Sequence, residues 1–157
     1  MNERRSLEIT GSIQNGPVVL DYQALAAFPA SAQVPDVGAL VPGRKGRGVR
    51  LSAIVARVAP RPSARFVNIQ SADPKFAVSV PISDVLEQGI VVYELDGAPL
   101  AADKGGPFRL LVCGHDDECV NVKQLARLEL ADLRGRDTRP ADDAEHRALH
   151  ARKKPAH

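Results

Sequence analysis

"GGPFRLLVCGHDDECVNVKQLARLEL", residues 105 to 130, decides how this chain is read. The run from Phe108 to Cys113 is almost continuously apolar and too short for a helix of ordinary length, so it reads as a buried strand. Arg109 is the one charge inside it. The closing "LARLEL" reads as a final strand. Ahead of the first strand stand Gly105 and Gly106, which have no Cβ and so let backbone approach an anion closely. Between the strands lies "CGHDDEC", in which Cys113, His115 and Cys119 follow a C-x-H-x-x-x-C spacing. Two thiolates and an imidazole can surround one zinc or iron ion, with Asp116 or water as the fourth ligand. The bland alternative makes Cys113 a small hydrophobe at the end of a core strand. A Cys113–Cys119 disulfide is disfavoured in a reducing compartment.

Working outward, short pieces of period 2 and period 3.6 alternate. "LEITGSI" sets Leu7, Ile9 and Ile13 on one face of a strand, and "PVVL" follows the turn signal Asn15-Gly16. Asp21 is placed to cap a short helix over "YQALAAF", which Pro29 stops. Residues 32 to 49 are rich in Gly and Pro and read as a long loop or irregular hairpin. "LSAIVARV" spaces Leu51, Ile54, Val55 and Val58 as one helix face. Strands are expected at "RFVNIQ" and "FAVSV", a small helix after Ser83 ending at Gly89, then the strand "IVVYEL" and the turn Asp96-Gly97. The fold class expected is α+β: a mixed, sheet-dominated domain with short helices.

The chain has 157 residues, 44% of them hydrophobic, enough for one core but not comfortably for two. The expected organisation is an N-terminal arm over residues 1–6, one domain over 7–132 and a charged, disordered tail over 133–157. The tail holds seven Lys or Arg against four Asp or Glu, so the net charge of +2 belongs to it and the body is slightly acidic. With few large apolar groups it cannot offset the entropy of ordering, and with interleaved charges and no aromatics it is a poor nucleic-acid arm. No apolar run long enough to cross a membrane and no secretory leader is readable, so a cytoplasmic location is expected. A second basic stretch, "GRKGRG" at residues 43–48, presents Arg44, Lys45 and Arg47 among glycines, without P-loop spacing. It reads either as a solvated loop or as part of an anion site.

In order, "LEITGSIQNGPVVLDYQALAAFP", "GRGVRLSAIV", "VNIQSADPKFAVSVPI", "LDGAPLAADKGGPFRLLV" and "VKQLARLEL" resemble the molybdopterin-binding domain of the sulfite oxidase family, over residues 7 to about 131. The resemblance implies an oxidoreductase domain with a pyranopterin site for molybdopterin and molybdenum, here in single-domain form. It also implies that Arg109 and Lys123 lie near the pterin and its phosphate, where an arginine fork and a lysine point charge suit an anion, and that the loop carrying His115 borders the cofactor. In the family a cysteine in the loop ahead of "GRGVRL" ligates the metal. This chain has none there; the corresponding place falls near Asp36, Val37 or Gly38. Lys104 stands where a histidine is common, and Gln124 where a tryptophan often follows the lysine. Asp73 resembles an acid closing the pterin region, or else makes an Asp-Pro turn. Two readings therefore stand: a molybdopterin-binding oxidoreductase domain unable to perform family-type oxygen-atom transfer, or a cofactor-free module that binds a small anionic ligand on the same fold.

Overall fold

The computed structural model describes residues 6 to 138 apart from 42, 74, 116, 117 and 136, and for residues 113 to 121 the backbone alone. Among the described residues, eleven strands and four short helices run in the order β1 (Leu7–Gly11), β2 (Val18–Leu20), α1 (Tyr22–Ala26), β3 (Gln33–Val34), α2 (Val37–Leu40), β4 (Arg47–Arg50), α3 (Leu51–Val58), β5 (Phe66–Ser71), β6 (Ala77–Pro81), α4 (Ile82–Val85), β7 (Gly89–Leu95), β8 (Ala98–Pro99), β9 (Arg109–His115), β10 (Glu118–Val122) and β11 (Leu125–Ala131). One sheet has the order β2-β1-β11-β5-β6. The other runs β10-β9-β7-β4-β3, with β8 on the side of β7. β1 lies parallel to β11, which joins the two ends of the domain, and the other strand pairings are antiparallel.

Alternation along the strands explains the layering. Leu7 and Ile9 of β1, Leu128 and Leu130 of β11, and Val67 and Ile69 of β5 point to one side of the first sheet and meet Val91, Tyr93, Leu110 and Val112 of the second. The four residues of α3 spaced as one face, Leu51, Ile54, Val55 and Val58, are all buried in this core. The second sheet is apolar on its reverse face too. There Ile90, Val92 and Leu111 join Val34, Val37, Val41 and Leu100 in a smaller core. A sheet buried on both faces reads as a continuous apolar run, which is why "FRLLVC" and "IVVY" do not alternate.

Asp21 caps α1 as expected, its Oδ1 accepting from Ala24 N at 2.8 Å. The segment 32–49 is an irregular hairpin: β3 pairs with β4, Gln33 opposite Val49 and Val34 opposite Gly48, and α2 sits in the excursion between them. The small helix expected after Ser83 begins instead at Ile82, because β6 runs to Pro81 and turns directly into it, and Gly89 opens β7. The turn at Asp96-Gly97 has positive φ at both residues, 57° and 79°, the signature of a tight hairpin.

The chain beyond β11 does not leave the body at once. Gly135 N donates to Asn68 Oδ1 at 2.9 Å, Thr138 N to Ala77 O at 2.8 Å, and Ala77 N to Thr138 Oγ1 at 2.9 Å. Arg134 lies over the Phe66 ring at 5.0 Å. These residues cover the edge of β6, which would otherwise offer unpaired backbone groups to another strand. Of the segment from residue 133, expected as a charged, disordered tail or at most a short docked helix, Arg134, Gly135, Asp137 and Thr138 are bonded to β5 and β6. Residues 139–157, and 1–5 of the expected arm, lie outside the described residues. Among the described residues no helix is long and apolar enough to cross a membrane.

A buried polar network ties the second sheet to α1. Tyr93, 1% exposed, donates to Gln33 Oε1 at 2.7 Å, and Gln33 Nε2 donates to Leu25 O and Phe28 O at the end of α1. Arg47 Nε points at both Tyr93 Oη, 3.1 Å away, and Gln33 Oε1, 3.2 Å away. Tyr93→Phe removes the hydroxyl and leaves Gln33 Oε1 under-satisfied. A loss of about 1–2 kcal/mol is expected, read as a lower urea midpoint at unchanged slope. An unchanged midpoint would mean that the network does not hold the sheet.

Candidate functional site

The stretch before β9 is built to bring cations to one place. A 3-10 turn over Ala102–Lys104 ends at Gly105, whose φ of +92° suits a residue without a Cβ. Gly106 follows, pressed against the backbone of Leu100. From the other side, the turn between β10 and β11 is clamped onto the same place: Gln124 N donates to Gly105 O at 2.7 Å, Leu125 N to Phe108 O at 2.7 Å, and Ser71 Oγ to Lys123 O at 3.0 Å. Arg109 and Lys123 therefore flank Gly105. A Cβ built there would stand 3.1 Å from Arg109 Cδ and 3.2 Å from Lys123 Cγ.

The 43–46 loop closes the other side. Val37 N donates to Gly46 O at 2.8 Å and Arg44 N to Val41 O at 3.1 Å, which fixes the loop on α2. Between this loop and β9 lies a cavity of about 190 Å³ lined by Gly43, Arg44, Lys45, Lys104 and Arg109 with Val92, Leu95, Leu100 and Leu111. Val92, Leu100 and Leu111 are buried and belong to the smaller core, whereas Lys45 and Lys104 are exposed and Arg44 and Arg109 half-buried. The floor is thus aliphatic and the mouth cationic. Burial, and then the charge of Arg44, hold the Arg109 guanidinium below the ordinary arginine range. Arg109 Nη1 also donates to Lys104 O at 3.4 Å. Arg44 and Arg109, from segments 65 residues apart in the chain, thus line one cavity.

Of the residues singled out from sequence, Arg44 and Arg109 line the cavity, while Gly105, Gly106 and Lys123 stand behind Arg109 and outside the lining. Arg47 is not among them, since its side chain is turned into the Tyr93–Gln33 network. Asp36 caps α2, accepting from Gly38 N at 3.0 Å, and Val37 is fully buried. Asp73 Oδ1 accepts from Lys75 N at 2.9 Å, a turn role. The zinc or iron set of Cys113, His115 and Cys119 lies where side chains are outside the described residues. Their backbone forms the β9–β10 hairpin, with His115 opposite Glu118 and an irregularity between Glu118 and Val120. Among the described residues there is no cluster of three metal-ligating side chains.

Sequence reading did not include Lys104 or the aliphatic floor in the site. A signal existed for the floor: Arg109 and Leu111 are two apart on β9 and Val92 stands opposite Arg109, so all three share a face. For Lys104 the one signal was the resemblance, which sets it where a histidine is common; its place at the cavity depends on the 3-10 turn.

Comparison with known proteins accords with this fold. No curated protein matches the chain. Among solved structures, the sulfane dehydrogenase SoxCD from Paracoccus pantotrophus superposes with a TM-score of 0.63 at 21% identity, over 85% of this chain and 40% of that one. This chain therefore spans about two-fifths of that protein, and the likeness is one of fold. The family model described as "Oxidoreductase molybdopterin binding domain" matches residues 38–138, a stretch that includes all of α2 but Val37, the cationic loop, Arg109 and Lys123. The chain belongs to the family of oxidoreductase molybdopterin-binding domains.

Proposed function

We propose that this chain works as an anion-gripping member of its family, holding the phosphate-bearing end of a molybdopterin-type ligand without furnishing a protein thiolate to a metal. The observation that carries the proposal is the convergence of Arg44 and Arg109 over one cavity. The donor set fits one part of the cofactor and not the other. Arg44, Lys45, Lys104 and Arg109 suit a phosphate by charge and by fork geometry. The described lining contains only cations, a glycine and aliphatic side chains, so it offers nothing to a metal. The two cysteines of the chain, Cys113 and Cys119, both follow Arg109 in sequence, and the loop before Arg47 has none.

Molybdopterin, when bound, supplies sulfur donors for molybdenum and through it redox chemistry. The part assigned to this chain's own residues is binding and orientation. Arg44 and Arg109 neutralise the phosphate, Lys45 and Lys104 draw it in from solvent, and the fixed 43–46 loop keeps the mouth open. The experiment is compositional. Full-length protein purified from its native host is analysed for molybdenum by mass spectrometry and for released pterin by fluorescence. Pterin near one per chain with molybdenum far below it is expected. Stoichiometric molybdenum would overturn the thiolate-free part of the proposal. Absence of pterin would favour the cofactor-free anion-binding module on the same fold, provided inorganic phosphate still binds.

A further inference from the structure

Of the two outer strands of the first sheet, β2 has three residues, whereas β6 has five and the neutral sequence "AVSVP". It carries none of the charges by which an open edge usually repels another strand. The chain after β11 supplies the protection instead. Ala77 N donates to Thr138 Oγ1 at 2.9 Å and Ala77 O accepts from Thr138 N at 2.8 Å. Ser79 N donates to Asp137 Oδ2 at 3.3 Å and Ser79 O accepts from Arg134 Nη1 at 3.2 Å. Three of these four bonds use side chains of the cover, so it imitates a neighbouring strand without forming a ladder. Apart from Arg134 over the Phe66 ring, the attachment rests on hydrogen bonds of small net worth, set against the entropy of ordering the chain.

We propose that Arg134, Asp137 and Thr138 form a displaceable cover over a self-complementary edge, and that a second copy of this chain pairs with β6 when the cover is lifted. The spacing along β6 carries the choice of partner. Val78 and Val80 stand opposite Ile69 and Val67 of β5 and turn their backbone groups to that strand, which leaves those of Ala77 and Ser79 pointing outward. In an antiparallel pair of β6 strands turning on Val78, Ala77 of each copy faces Ser79 of the other, and each such pair exchanges two N–H···O bonds. The groups that the cover satisfies are then satisfied by main chain alone. The side chains brought opposite one another are Ala77 with Ser79 and Val78 with Val78, so no like charges oppose the pairing.

Amide hydrogen exchange of the full chain, resolved by NMR, tests the cover, and light scattering after gel filtration tests the pairing. In the wild type, expected as a single copy, the Ala77 and Ser79 amides should exchange at least about tenfold faster than those of Val78 and Val80, because lifting the cover requires no unfolding of β5. Asp137→Ala combined with Thr138→Pro removes the acceptors of both outward amides and leaves β6 itself unaltered. This variant is expected to pass from one copy to two as its concentration rises, with the Ala77 and Ser79 amides slowed in the paired form. Exchange at Ala77 and Ser79 as slow as at Val78 and Val80 in the wild type would overturn the displaceable cover, and this comparison stands by itself if the variant does not fold. A folded variant that stays a single copy at hundreds of micromolar, or that pairs while its Ala77 and Ser79 amides remain fast, would overturn association through β6.

Discussion

Arg109→Gln is expected to weaken phosphate binding by roughly 10- to 100-fold, the equivalent of one charge-assisted hydrogen-bonding group worth ~1.5–3 kcal/mol. The effect is large because Arg109 occupies the hinge of the site. It stands on β9, beside Gly105 and Lys123 on one flank, and lines the cavity with Arg44 on the other. Glutamine keeps part of the length and removes the charge and the fork. Arg109→Lys should fall between the two, since an ammonium restores the charge without the planar pair of donors. Arg47→Gln makes the contrast. That side chain serves Tyr93 and Gln33, so its loss should lower the urea midpoint and leave affinity nearly unchanged. Calorimetric titration with phosphate at two salt concentrations reads both variants, and the residual Arg109→Gln binding should depend less on salt. Wild-type affinity in Arg109→Gln would show that the anion sits elsewhere.

How much of this was legible in the sequence follows from which forces are local. The face of α3, the Asp21 cap, the Asp96-Gly97 turn and the strands β5, β6 and β7 depend on spacing within a few residues, and each was readable. The smaller core was not. It draws Val34, Val37 and Val41 from a segment whose Gly and Pro content hides its apolar residues, and its burial depends on the reverse face of a sheet formed later in the chain. The contacts of Arg134, Gly135, Asp137 and Thr138 with β5 and β6 are not legible for a similar reason. They use backbone groups of β6 and polar side chains such as Asn68 and Thr138, which carry no hydrophobic pattern.

The site divides along the same line. Arg109 and Lys123 could be paired through the family resemblance, and Gly105 shows why they meet. Arg44 and Arg47 looked equivalent in "GRKGRG", but β4 begins at Arg47. Arg47 pairs with Glu94 across the sheet and turns inward, while Arg44, still in the loop, faces the cavity. Strand register, which the sequence of a glycine-rich loop does not specify, decides between them.

The two glycines ahead of β9 should respond very differently to the same added methyl group. At Gly106 a Cβ would stand 1.9 Å from Leu100 O, 2.5 Å from Leu100 C and 2.9 Å from Ala101 O. All three are backbone atoms, so no rotamer change can clear them and the 100–107 loop would have to move away from Phe108 and the strand it leads into. Gly106→Ala is therefore expected to cost more than the ~1–3 kcal/mol usual for an overpacked interior, where side chains can still yield, and to express poorly or melt far below the wild type. At Gly105 the neighbours are Arg109 Cδ at 3.1 Å and Lys123 Cγ at 3.2 Å, both on side chains that can yield. The remaining cost there is the φ of +92°, about 1–3 kcal/mol for a non-glycine residue. Gly105→Ala should fold, with a modestly lower urea midpoint, and should bind phosphate more weakly because the methyl group pushes the two cations apart. Urea denaturation of both variants, with calorimetry on the one that folds, separates the outcomes. If Gly106→Ala melted with the wild type, the loop would not be seated on Leu100 as described, and the placement of Lys104 and Arg109 at the mouth would fall with it.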